Sequence, residues 1–177
     1  DGRIHPGRIE EVYEKAREDV EEMIRESGSK AAFDLGIHDL AEPLLEVLGK
    51  LRFRTSYGQN LLAHSKEVGL LAGMMAEKLD LDVTLARRAG LLHDIGKAQD
   101  FELGSDPVQN SAALARKCNE SAEVVQVIET HSEHIPSRSA IAVLVEAANE
   151  ISTHRPGARK EKVEEYTRRL RQIEEIA

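Results

Sequence analysis

Apolar residues recur at helical spacing from the first turns of this chain. Ile9, Val12, Tyr13, Ala16, Val20, Met23, Ile24, Ala31 and Leu35 form one stripe, and the positions between them are dense in Glu, Lys and Arg. The pattern predicts one long helix with Pro6 in its first turn, bent near Gly28. So narrow a stripe either packs along its own domain or pairs with a second copy. Shorter helices follow: Leu40 to Leu51, about Tyr57 to Leu79, and Asp82 or Thr84 to Lys97. Three more run from Pro107 to Cys118 behind Asp106, from Ala122 to Glu133 behind Ser121, and from Ser139 to His154 behind Ser137. Small polar residues ahead of the apolar runs read as N-caps. Arg155-Pro156-Gly157 breaks the pattern, and Lys160 to Ile176 resumes it as a last charged helix. No segment alternates with period two, so the predicted fold class is all-α.

Length and composition sharpen that picture. A chain of 177 residues is read as a single domain. Residues 1–36 are its long N-terminal helix, 37–154 its core and 155–177 its C-terminal helix. Apolar residues make up 41% and aromatics only 3%, so the core has to be aliphatic, which favours helices over a β-sandwich. A formal net charge of −8 makes the chain a poor non-specific nucleic-acid binder on its own, because neutralising phosphates takes Lys and Arg on one face. A nucleic-acid substrate would need a bound metal, a local Arg/Lys cluster or a second binding domain.

Cys118 is the single cysteine, so no internal disulfide exists and a reducing cytoplasm is the expected compartment. No apolar run approaches the ~20 residues that span a bilayer, so direct membrane contact by this chain is not expected. It begins at Asp1 and stops inside a helical pattern at Ala177, which reads as a domain excised from a larger parent.

The chemistry concentrates in Leu91-Leu92-His93-Asp94-Ile95-Gly96-Lys97. An imidazole and a carboxylate stand together in an otherwise apolar run, a costly burial unless something compensates, and a divalent cation is the usual compensator. His64 lies in another helical run and offers a third ligand from a neighbouring helix. Lys97 follows His93 and Asp94 by one turn and can face the same cavity. A cation held by His64, His93 and Asp94 would polarise a phosphate ester and activate water, with Lys97 neutralising charge on phosphate oxygens.

Two other stretches are of interest. The polar segment Arg54-Thr55-Ser56-Tyr57-Gly58-Gln59-Asn60 reads first as a helix start with capping chemistry, and lies near enough to His64 to shape a nucleotide pocket. Arg155 and Arg159 flank a turn and could contact substrate phosphates. His5, His38 and His154 read as surface residues, and Cys118 as a small core residue.

With these residues in place, the chain resembles the HD superfamily of metal-dependent phosphohydrolases, and within it the HD domain of ribonuclease Y. The likeness is carried by Asp1-Gly-Arg-Ile-His-Pro-Gly-Arg-Ile-Glu-Glu and by Phe53-Arg-Thr-Ser-Tyr-Gly-Gln-Asn-Leu-Leu-Ala-His64-Ser. Arg88-Ala-Gly-Leu-Leu-His-Asp-Ile-Gly-Lys-Ala98 and Arg155-Pro-Gly-Ala-Arg159 extend it. The resemblance implies an HD-domain helical bundle, Mg²⁺- or Mn²⁺-dependent endonucleolytic cleavage of RNA in mRNA turnover, and a homodimer. It also implies a parent anchored at the inner face of the cell membrane, with an upstream KH domain that binds RNA.

Residue by residue, His64, His93 and Asp94 match the family's first ligands and Lys97 its accompanying cation. Elsewhere the pattern departs. Asn149 stands where the family has a distal aspartate, which leaves a weak ligand, and one metal is expected rather than two. His131 is followed by Ser132, Glu133 and His134 where the family pairs histidines, so His131 and His134 are read as remnants of a second site. Pro107, with Asp106 before it, falls where the family has a further histidine. Two readings stay open: a metal-dependent phosphodiesterase, and a catalytically impaired HD domain serving dimerisation or nucleotide or RNA binding.

Overall fold

The computed structural model describes residues 6–98, 106–131 and 139–159. Helix α1 spans Pro6–Asp34. From Gly7 to Glu22 its residues are exposed on every face, and Arg17 bridges Glu14 at 2.8 Å and Glu21 at 3.7 Å along the charged side. Only its second half enters the domain, burying Ala31 and Ala32. There it crosses α2 (Glu42–Lys50) at backbone distance. A Cβ on Gly28 would lie 1.9 Å from the Leu45 carbonyl oxygen, and one on Gly49 would lie 1.9 Å from that of Ile24. Gly28 thus sits within an unbroken helix, and its missing side chain is what admits the neighbouring helix.

A short hairpin precedes α3, where the sequence pattern predicts helix from about Tyr57. Strands β1 (Thr55–Ser56) and β2 (Gln59–Asn60) pair antiparallel, Thr55 opposite Asn60 and Ser56 opposite Gln59. Tyr57 and Gly58, with φ of 51° and 82°, make the two-residue turn of left-handed residues that suits a twisted hairpin. Helix α3 then runs Leu61–Lys78, its first turn capped by Asn60, whose side chain accepts from Ala63 N at 3.0 Å.

Helix α4 spans Val83–Leu92 behind Asp82, so it ends before His93 and Asp94 instead of carrying them; a 3-10 turn over Ile95–Ala98 follows. Helix α5 (Pro107–Lys117) is capped by Asp106, α6 (Ala122–Thr130) by Ser121, and α7 (Ala140–His154) by Ser139. The predicted α6 extension to Glu133, the Ser137 cap and the Lys160–Ile176 helix lie outside the described residues. The core is aliphatic, built from such fully buried side chains as Leu44, Leu48, Leu91, Leu92 and Ile128, with Cys118 packed at its margin. The all-α prediction holds; among the described residues the only strands are those of the hairpin.

The contact that matters for chemistry is α3 against α4. A Cβ on Gly90 would come within 2.8 Å of the Gly69 Cα, so the two backbones touch. His64 lies five residues before Gly69 and His93 three after Gly90, and the close crossing leaves their imidazoles facing one another. Helix α7 packs against both α3 and α4 and supplies the third wall.

Candidate metal centre

His64, His93 and Asp94 each offer an atom within 4.8 Å of the others'. His64 Nε2 lies 3.7 Å and His93 Nε2 3.3 Å from Asp94 Oδ2. Both histidines are 1% exposed, their rings set edge to face with centroids 5.2 Å apart. Lys97 Nζ donates to the same Asp94 oxygen at 2.6 Å. Burial acts to raise the Asp94 pKa, yet His93 and Lys97 together outweigh it and hold the carboxyl well below the usual carboxylate range. Asp94 is an anion here.

Hydrogen bonding fixes which imidazole nitrogen carries the proton. His93 is the C-terminal cap of α4, and its Nδ1 donates to the Gly90 carbonyl at 2.8 Å. Nε2 is therefore the ring nitrogen turned toward Asp94. A serine fixes the His64 tautomer. Arg155 and Ser152 keep Glu67 ionised against the opposing effect of burial, so Glu67 only accepts. Ser152 Oγ spends its one proton on Glu67 Oε2 at 2.7 Å. It must then accept from His64 Nδ1, 2.9 Å away. Burial, reinforced by His93, pushes the His64 pKa down to about 4, so its Nε2 is a bare lone pair at neutral pH.

Among the described residues, His64 Nε2 and His93 Nε2 are buried without a hydrogen-bond partner. Two imidazole nitrogens and a carboxylate oxygen thus converge in a buried site. Such a set repels itself unless a cation sits among the donors, and backbone or side-chain partners on the opposite ring nitrogen are what orient metal-ligating histidines. The residues fit a divalent cation.

His131 joins the same cluster. It caps α6 as His93 caps α4, with Nδ1 donating to the Ile128 carbonyl at 2.8 Å. Its ring is buried and stands 5.1 Å from that of His93, and burial pushes its pKa down to about 4. His134, Ser132 and His5 lie outside the described residues. Pro107 is in the first turn of α5, and Asp106 is occupied as its cap, accepting from Val108 N at 2.9 Å. Asn149 is half-buried in α7, one turn before Ser152.

The two arginines taken from the sequence as phosphate contacts already have partners. Arg155 Nε donates to Glu67 Oε1 at 2.7 Å. Arg159 Nε donates to Gln59 Oε1 at 3.2 Å, with its Cζ 5.4 Å from the Tyr57 ring centroid. Gln59 in turn donates to the Ser152 carbonyl at 2.9 Å. Sequence reasoning missed Ser152 and Glu67, and had Gln59 only as one residue of the polar stretch near His64. One signal pointed to Glu67, which follows His64 by three residues and so shares its helix face. His38 and His154 are exposed as expected.

Comparison with known proteins agrees with this geometry. The family model described as HD domain matches residues 61–175. A ribonuclease Y of Acetivibrio thermocellus is 56% identical over 177 residues, one of Enterococcus faecalis 53%, and one of Syntrophomonas wolfei 52%. Each alignment covers 100% of this chain and 34% of the relative, so the chain spans about a third of the length of the curated relatives it matches. No solved structure matches it. The His-Asp pair, the histidine drawn against it from α3 and the match that runs across all three lead to one conclusion: this chain belongs to the HD-domain family.

Proposed function

We propose that the chain is the hydrolytic domain of a ribonuclease Y-type phosphodiesterase that cleaves RNA internally in mRNA turnover, with one divalent cation held by His64, His93 and Asp94. The supporting observation is the convergence of two buried imidazole nitrogens without hydrogen-bond partners on an ionised, buried carboxylate oxygen. Two nitrogens and one oxygen favour Mn²⁺ over Mg²⁺, which prefers an all-oxygen shell. Such a cation, when bound, polarises a phosphodiester and lowers the pKa of water beside it. Lys97, a third exposed, is placed to neutralise charge gathering on the phosphate oxygens. Asn149 contributes at most a neutral carbonyl. Arg155 and Arg159 border the site and can meet flanking phosphates.

The net charge of −8 supports a parent in which a KH domain holds the RNA, because this surface alone attracts it weakly. The exposed first half of α1 repeats Ile9, Tyr13, Ala16 and Val20 at alternating spacings of four and three. That heptad seam is what a homodimer would use. No helix among the described residues is long and apolar enough to cross a membrane, so anchoring falls to other parts of the parent.

The test is Mn²⁺ titration of the purified chain together with cleavage of a single-stranded RNA. One ion per chain is expected, with both binding and cleavage lost in Asp94→Asn. Asn149→Asp should tighten Mn²⁺ by an order of magnitude or more, through the added negative charge. Absence of binding at millimolar Mn²⁺ would leave the domain a dimerisation or RNA-binding module, the outcome that a neutral Asn149 favours.

A further inference from the structure

We propose that Tyr57 and Arg159 form a stacking platform for one unpaired base of a single-stranded RNA beside the His64 site. The substrate class rests on the phosphodiesterase reading above; the platform rests on its own geometry.

Tyr57 is an unusual choice for its position. The chain contains 3% aromatics, and this ring stands 64% exposed at the tip of the hairpin. Its φ of 51° is a left-handed conformation that bulky side chains avoid, and Asn, Asp or Gly is what the turn chemistry prefers. The sequence thus carries an exposed, conformationally unfavourable aromatic where a polar residue would fold better. Strain of this kind is characteristic of functional positions.

The surroundings fit a base. Arg159 lies over the ring, its Cζ 5.4 Å from the centroid, and is aimed by Gln59 at 3.2 Å. Gln59 is tied to the Ser152 carbonyl at 2.9 Å, and Ser152 to His64 at 2.9 Å. The platform is therefore coupled to a ligating imidazole through consecutive hydrogen-bonded residues of three elements. An acidic chain cannot rely on bulk attraction to hold a polyanion. Stacking on an aromatic face with an arginine alongside does not depend on net charge, and it is a principal means of holding unpaired bases. A duplex keeps its bases stacked internally and cannot supply one.

The experiment measures the fluorescence of 2-aminopurine within a short single-stranded oligoribonucleotide, titrated with the chain in EDTA so that nothing is cleaved. Wild type should bind, and Tyr57→Phe should match it within twofold. Tyr57→Asn should bind about tenfold more weakly, while its thermal stability is unchanged or higher because Asn suits the turn. That opposition separates a ligand-binding ring from a structural one. Equal affinity of Tyr57→Asn and wild type, no binding by wild type at millimolar chain, or preference for a duplex would each overturn the platform. Cleavage with Mn²⁺ is scored separately. A ring-dependent affinity without cleavage refutes the phosphodiesterase reading and keeps the platform; cleavage with ring-independent affinity does the reverse.

Discussion

Ser152 Oγ lies 2.9 Å from His64 Nδ1, although 88 residues separate the two. Because Ser152 gives its proton to Glu67, it acts on His64 as an acceptor and keeps Nε2 bare. Glu67→Gln introduces an amide that can donate to Ser152, and Ser152→Ala removes the acceptor. Either change should weaken Mn²⁺ binding by about 10- to 100-fold, the usual cost of losing such a partner. Long-range ¹H–¹⁵N correlation of the metal-free imidazole should show the proton on Nδ1 in wild type and a mixture of tautomers in Glu67→Gln. An unchanged ring spectrum in both variants would remove the relay from the account.

Lys97 should show opposite effects on binding and turnover. Its ammonium shares Asp94 Oδ2 with the two imidazoles at 2.6 Å, so it repels a dication while serving phosphate. Lys97→Met should bind Mn²⁺ more tightly, by about several-fold to tenfold given a partly solvated charge nearby, and should cleave RNA at least 10²-fold more slowly. Calorimetry and a cleavage assay on the same preparation check both signs. Parallel losses in binding and turnover would mean that Lys97 only holds Asp94 in place.

Acid should destabilise the metal-free fold before it titrates ordinary carboxylates. His64 and His131 are pushed down to about 4 in the folded chain, from 6.5. Below pH 6.5 the unfolded chain takes up protons that the native one refuses. The stability these groups contribute is therefore complete above 6.5 and is lost as the pH falls toward 4. On the order of 2 kcal/mol per imidazole should be gone at pH 5 relative to pH 7.5, read as a shift in urea midpoint. His131→Gln should flatten that dependence.

The crossing of α1 and α2 tolerates no side chain. Gly28→Ala would push a methyl into the Leu45 carbonyl, 1.9 Å away, and only separation of the two backbones relieves it. A loss of about 3 kcal/mol is expected by denaturant titration, with Gly49→Ala similar because it meets Ile24 from the other side. Unchanged stability in both would mean that the helices part freely.

What the sequence by itself determined is local. Apolar spacing and the caps at Asp82, Asp106 and Ser121 set where helices begin, because both act within one turn. The Lys97–Asp94 pair was legible for the same reason, being three residues apart. The sequence also carried the His-Asp motif and its resemblance, hence the family. Tertiary packing decided the rest. His64 meets His93 because Gly69 and Gly90 let α3 and α4 touch, and the tautomer of His64 depends on α7 delivering Ser152. The hairpin in place of a longer α3 follows from the left-handed pair Tyr57-Gly58, a backbone state that hydrophobic periodicity does not register. A pattern of neighbours fixes dihedrals and contacts one turn apart. A proton shared across 88 residues is fixed only when α7 closes on α3.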